Sequence, residues 1–507
     1  MKKIFKLMLI AGFIGFLLPS CDLDRFPTNA VPFDESFRTV EDARNQLNGL
    51  YSQFRTRFYG IFAQSTEVMS DLFNAVIPPG AGNIAGALHR IDMTMLGSSD
   101  IASVWRLSYS AINNANIFLE RVHEIELRTP ADSSTIRDFI GQAHYIRAHL
   151  YYILITHFGV AYTSQGGPEA PGVPLVTRFD LDYRPERATV GETYQFIMAE
   201  LDSAYRRIAT QGQSRSIRIT RDAVKALRSK VQLEMGDNEG AAKTALYLIN
   251  SDRYPLVTTA EELLDGWRND NWTEDILLMN VTGTESANFQ DFFSRFNAGT
   301  ASPGSPGQHF APFFVPTQTV IDLFEPNDLR RQVYLSNPMV DRVFSNGMPR
   351  EGVVFLRKWR MNDNYAPAPG NYQHKPKVHR IAEQYLIAAE ALGPTAEGIG
   401  ILTRLRTARG ATIPVDANNF TQILRDEWVR EMIGEGRRIQ SLKRWGIGFD
   451  GRVPQNPNII AGGDMQEYYT LLEAPANFYR FTWPVPLNEI RTNPNIRQTP
   501  EWDTGVQ

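Results

Sequence analysis

The 507-residue sequence contains one cysteine, Cys21. A single thiol supports no intrachain disulfide, no CxxC redox pair and no cysteine-based zinc site. Charge is nearly balanced, with 52 Lys and Arg against 56 Asp and Glu and a net charge of −4. That balance carries no basic footprint for nucleic acid. The eight histidines include no HExxH pair. His144 and His149 stand five apart, off a shared helical face, so metal ligation is not expected, nor is any cofactor. "GPTAEGIG" has no Lys-Ser/Thr behind its glycines and reads as a helix-hairpin turn, not a phosphate loop. "GTASPGSPG" lacks the G-x-S-x-G frame of a nucleophile elbow. Long apolar runs are also scarce. The one present, Leu7 to Leu18, is far shorter than the ~20 residues that span a bilayer.

That short run has a different use. Lys2, Lys3 and Lys6 precede it, giving the basic and apolar regions of a secretory signal. Leu18-Pro19-Ser20-Cys21 resembles a lipobox, in which the cysteine sulfur accepts a diacylglyceryl group and cleavage frees the amine for a further chain. More than one chain is needed for stable anchoring, since each buried methylene contributes only ~0.8 kcal/mol. Residues 1–20 are therefore expected to be a lipoprotein signal peptide, and Cys21 the lipidated mature N-terminus. Residues 21–38, rich in Pro, Asp and Thr, read as an extended leader to a body at 39–507. Asp22 and Asp24 resemble surface-export signals of lipoproteins in Bacteroidota.

The body reads as mostly helical. "TVEDARNQLNGLYSQF" offers Thr39 as N-cap and a stripe of Val40, Ala43, Leu47 and Leu50. "SSDIASVWRLSYSAINNANIFLERVHEI", "STIRDFIGQAHYIRAHLYYILITHFG" and "GETYQFIMAELDSAYRRIA" have apolar residues at helical spacing. Residues 220–251 and 378–409 each resemble a tetratricopeptide hairpin of ~34 residues, with small residues such as Ala226 and Ala389 allowing close helix approach. Gly236-Asp237-Asn238 and Gly393-Pro394-Thr395 mark their turns, and such pairs must stack to bury their apolar faces. Between them, residues 255–375 lose periodicity and fill with Trp, Phe, Pro, Gly and Asn. Loops that long inside a compact domain are usually functional.

Two C-terminal stretches carry a family resemblance. "RDEWVREMIGEGRRIQSLKRWG" resembles the ER-x-x-EL-x-x-EG-x-R-x-x-DL-x-R signature of SusD/RagB-type outer-membrane lipoproteins, through Glu427, Glu431, Glu435, Gly436, Arg438, Leu442 and Arg444. Trp428 and Ser441 depart from it where Arg and Asp are preferred. "WPVPLNEIRTNPNIRQTPEW" is similar to the family's PIP-x-x-E-x-x-x-NP-x-x-x-QNPGY ending, with departures at Thr499 and Trp502. The resemblance spans essentially the whole mature chain. It implies a mostly α fold in which tetratricopeptide-like hairpins pack with an irregular, loop-rich ligand-binding region. It also implies a non-enzymatic surface lipoprotein that captures oligosaccharides for a TonB-dependent SusC-like transporter barrel. A RagB-like branch handles peptides, and that cargo is the main alternative; a lipid-anchored glycoside hydrolase is a further one, because acid-pair carboxylates need not be close in sequence. Glu427, Glu431 and Glu435, at i, i+4 and i+8 with Arg430 and Arg438 near, read as a charge lattice rather than acid/base groups.

Ligand contacts are placed by the same resemblance. "STEVMSDLFNAVIPPG" lies where family members carry a ligand-facing loop and offers Asp71, Phe73 and Asn74. "DFFSRFNAGTASPGSPGQHF" offers Phe292, Phe293, Arg295, Phe296, Asn297, His309 and Phe310. Flat rings cover the C–H face of a sugar, while amide, carboxylate and guanidinium groups satisfy its hydroxyl rim. Trp267, Trp272 and Trp359 are further candidates.

Overall fold

The computed structural model describes residues 36–76, 86–282, 293, 308–339, 341–345, 348–350, 352–359, 362, 364–365, 373–456 and 473–503. The expected signal peptide, Cys21 and most of the leader lie outside the described residues. Helix α1 (Val40–Arg55) starts where the sequence places it. Thr39 Oγ1 accepts from Asp42 N–H, and the Asp42 carboxylate accepts from Thr39 N–H in return. Its buried face is Ala43, Leu47, Leu50 and Phe54, with Val40 only half-buried. Helix α2 (Ile61–Met69), strand β1 (Phe73–Ala75), the short α3 (Gly86–Arg90) and the long α4 (Ser99–Arg121) follow.

Helix α5 (Pro130–Phe158) begins four residues before the stretch that periodicity marked, because Thr129 and Asp132 form a second capping box with Pro130 in the first turn. From Phe139 onward all of its residues except His144 are buried. A helix buried on every face is a central one. Helices α1, α4 and α6 (Val190–Arg207) pack around it, α6 most extensively.

The two hairpins form as expected. Helices α7 (Arg221–Glu234) and α8 (Asn238–Ile249) join through Gly236, whose φ of 73° suits glycine, and Asp237 caps α8 through Gly240 N–H. Past α9 (Ala260–Asn269) and the strands taken up below, helices α12 (Ile381–Leu392) and α13 (Ala396–Ala408) join through Gly393, with Thr395 as cap. Helix α8 lies on α12, and Ala226, Ala241, Ala245, Ala388, Ala389 and Leu402 share one buried cluster. Ala226→Trp or Ala389→Trp should lower stability by about 1–3 kcal/mol through overpacking. Denaturant midpoints check this; an unchanged midpoint would show that the alanines do not set the helix spacing.

The span 255–375 is less irregular than its sequence suggests. Besides α9 it holds β2 (Asp275–Leu278), β3 (Gln308–Phe310), β4 (Phe314–Pro316), α10 (Gln318–Asp322), α11 (Leu329–Tyr334), β5 (Asp341–Ser345) and β6 (Met348–Arg350). Helices of one to three turns display too few repeats for a period to register. Strand β2 pairs antiparallel with β7 (Lys377–Arg380), so the span is fastened directly to the second hairpin. Trp267, Trp272 and Trp359 are buried and meet at 5.4–5.8 Å between ring centroids. They are core rings here, not ligand platforms.

A buried ion lattice closes the body. Helix α14 (Phe420–Met432) carries Glu427 and Glu431. Glu427 pairs with Arg330 at 2.5 Å, Arg430 at 2.8 Å and Arg406 at 3.1 Å. Glu431 pairs with Arg380 at 2.8 Å, and with Arg330 and Arg409 at 3.0 Å. Arg409 also grips Glu274, and Arg330 grips Asp328. Glu435 lies beyond the end of α14, not on its face, yet joins the lattice through Lys358 and Arg380. The lattice reading of the three glutamates holds, except that Arg438 reaches elsewhere. The carboxylate of Glu67 accepts the N–H groups of Gly434, Gly436 and Arg437, seating the turn into α15 (Arg438–Trp445). Strands β8 (Phe449–Asp450) and β9 (Glu473–Ala474) follow, then α16 (Leu487–Thr492). The C-terminal strap is pinned by Trp483, whose N–H donates to His157 O at 2.8 Å, and by Trp502, whose indole donates to Thr482 O.

Candidate ligand-binding site

Described residues of the two stretches singled out in sequence meet at one end of the body. Strand β1 pairs antiparallel with β4 in the register Phe73↔Pro316, Asn74↔Val315 and Ala75↔Phe314. The Phe73 ring lies 4.5 Å from that of Phe293, so the residues on either side of 77–282 are locked together. Thr317 extends the contact, donating its N–H to Leu72 O. The Gln455 amide staples a third segment in place: its oxygen accepts from Val354 N–H, and its nitrogen donates to Pro316 O at 2.8 Å and Val354 O at 2.6 Å. Val76, Phe310, Val315, Val353 and Phe355 form a small apolar cluster separate from the main core. The stretches 77–85, 294–307 and 457–472, outside the described residues, adjoin residues gathered here.

Placement within this end divides the expected contacts. Phe73 and Phe310 are buried, the first against Phe293 and the second against Phe355 at 4.7 Å. Neither presents a face to solvent, which differs from their expected role as platforms. The cause is local: all three residues of β1 are covered, because a two-stranded ribbon wedged in the body has no wet face. Asn74 is buried as well, with its NH2 donating to Val453 O at 3.3 Å. Asp71 is half-buried and engaged by Arg438 at 2.8 and 2.6 Å. Burial works against its ionisation, but the guanidinium outweighs burial and holds the carboxyl below its usual range. Phe292, Arg295, Phe296 and Asn297 lie outside the described residues, and of His309 only the backbone, in β3, is described. Asp71, Phe73, Asn74 and Phe310 are thus the frame of this end. Asp71→Asn should cost about 1–3 kcal/mol, since it leaves the part-buried Arg438 without its carboxylate; a melting curve of the variant matching wild type would contradict that frame role.

Beside the frame lies an open groove of about 570 Å³, lined among others by Ile321, Arg331, Gln332, Leu335, Asn337 and Pro338. Arg331 makes no ion pair among the described residues. Guanidinium, amide and apolar groups on one concave surface can hold a ligand with both hydroxyl edges and C–H faces. Sequence reading missed it, because α11 spans under two turns; "RRQVYLSNP" with its Asn-Pro stop was the available signal.

His144 Nδ1 is 3.0 Å from Glu200, while His149 stacks on His379 at 5.5 Å. Burial, with Lys230 adding repulsion, holds His149 and His379 well below the usual histidine range. Among the described residues no three His, Asp or Glu are placed to hold a metal ion. No helix among them is long and apolar enough to cross a membrane.

Stacked helical hairpins carrying a paired-strand frame and an open groove define a helical-repeat fold. One family model, described as starch-binding and associating with the outer membrane, matches residues 80–233; a second, described as the SusD family, matches residues 332–502. The chain belongs to the SusD/RagB family. SusD-like protein P2 of Formosa agariphila is 23% identical over 97% of this chain and 98% of its own. A SusD superfamily protein from Bacteroides thetaiotaomicron shares the fold, with a TM-score of 0.73 and 22% identity over 91% of this chain and 100% of that one. So does a laminarin-binding SusD-like protein, at a TM-score of 0.70 and 20% identity over 92% of this chain and all of the other.

Proposed function

We propose that this protein is a cell-surface lipoprotein, anchored through Cys21, that captures oligosaccharides and delivers them to a TonB-dependent SusC-like barrel without cleaving them. The observation that carries this reading is the rigid frame of β1, β4 and Gln455, which joins described residues of the two stretches, in a chain of a family described as starch-binding. Phe292, Arg295, Phe296, Asn297 and His309, with the groove at Arg331 and Gln332, supply the contact chemistry; Asp71, Phe73, Asn74 and Phe310 hold it in place. Laminarin, bound by one structural neighbour, is a suitable probe, and neutral glucans are the first class to test. Binding in the micromolar range, ~8 kcal/mol, suits a protein that must release its cargo. Phe296→Ala and Arg295→Ala should each weaken glucan binding about tenfold at unchanged melting temperature. Cys21→Ala should release the protein from the membrane fraction. Peptide binding with no glycan binding would move the cargo to the alternative class, and a soluble wild-type protein would contradict the anchor.

A further inference from the structure

A second concave surface lies away from β1–β6, on helix α4. Residues at successive turns form two rows: Trp105, Tyr109 and Asn113 in one, Arg106, Ser110 and Asn114 in the other. Over that span the helix rises ~12 Å. Phe179 overhangs the rows from the loop 177–184, and Glu489 of α16 closes one side. The open groove is about 400 Å³, within the range of ~300–1,000 Å³ typical of small-ligand sites.

Its chemistry is divided in a particular way. Trp105 is buried beneath the groove, 5.0 Å from Tyr109; the half-buried Tyr109, whose hydroxyl donates to Pro174 O at 2.8 Å, supplies the aromatic floor. Phe179 is 41% exposed, and its backbone is held by the N–H it donates to Glu120 Oε1 at 3.0 Å. Its ring has an open face. Arg106, Ser110 and Asn113 make no side-chain hydrogen bond or ion pair among the described residues. Asn114, also in the lining, donates its NH2 to Gln53 Oε1 at 2.9 Å. Trp105 hydrogen-bonds Glu489, and burial pushes that carboxyl upward. Unpaired guanidinium, hydroxyl and amide groups, set in register beside aromatic faces, suit a ligand with a C–H face and a rim of hydroxyls that donate and accept. A purely apolar partner would leave the polar row unsatisfied.

We propose that this groove is a second saccharide-binding site, taking one or two units of a sugar chain. The inference rests on the oligosaccharide reading above, and it gives the protein two sites for one class of sugar. A glycan long enough to reach both gains residence without new contacts at either site.

The test titrates the mature protein with maltohexaose and with a β-1,3-glucan hexasaccharide. Variants are Phe179→Ala and Asn113→Ala at the groove, and Phe296→Ala with Arg295→Ala at the loop. Melting should be unchanged in the groove variants, since both residues are partly exposed. The expected result is two binding events in wild type. One survives the loop double variant and is weakened about tenfold by Phe179→Ala or Asn113→Ala. Binding lost with the groove variants alone also supports the groove, and moves the primary site to it. One event that disappears with the loop double variant overturns the groove while leaving the proposed function intact. No binding of either hexasaccharide by wild type overturns both.

Discussion

Glu431→Ala is expected to destabilise the protein by about 3–5 kcal/mol or to prevent its folding. Glu431 is fully buried and is the shared anion of Arg330, Arg380 and Arg409, which come from three separate segments. Its removal leaves three buried cations one carboxylate short, in an interior that water does not reach. Glu427 remains for Arg330 and Glu274 for Arg409, so the lattice loses its centre rather than all its charge. Glu431→Gln keeps the shape and should cost less. Burial opposes ionisation of Glu431, but Arg409 and Arg380 outweigh it and hold the carboxyl well below its ordinary 4.5. Because the folded value is depressed, its stabilisation is present above pH ~4.5 and is lost as pH falls below it. The gap in stability between wild type and Glu431→Gln should therefore narrow below that pH. A constant gap would mean the carboxylate is not the group that matters.

Phe73→Ala is expected to cost about 3–5 kcal/mol, the usual loss for a buried ring. The ring is fully covered, packs on Phe293, and sits in the strand that ties the two loops together. Its effect on glycan binding should follow from lost structure, and should vanish when affinity is measured well below the melting temperature. Phe296→Ala should do the reverse, weakening binding with melting unchanged. Parallel melting and affinity measurements separate the two classes. A Phe73→Ala protein as stable as wild type but unable to bind would return that ring to the ligand surface.

Much of the fold was legible because its helices announce themselves. Thr39 and Asp42 cap α1 where the sequence places them, and the alanines of α7, α8 and α12 lie in the contact their size predicts. The glutamate lattice was legible in kind but not in detail. Helix period could not show that Glu435 falls past the end of α14, nor that Arg438 crosses to Asp71. The site was less readable for a definite reason. Phe73 and Phe310 have the composition of ligand platforms, and only tertiary pairing with β4 and packing on Phe355 decides that they are interior. The rows on α4 were likewise hidden, since a helix face reads as ordinary surface until Phe179 and Glu489 are seen to wall it.

Capture without cleavage is decided by calorimetric titration of the mature wild-type protein with a neutral glucan hexasaccharide, followed by mass analysis of the recovered sugar. Saturable micromolar binding and recovery of the hexasaccharide at its original length are expected. Shortened products, abolished by changing a single carboxylate, would make the protein a hydrolase instead.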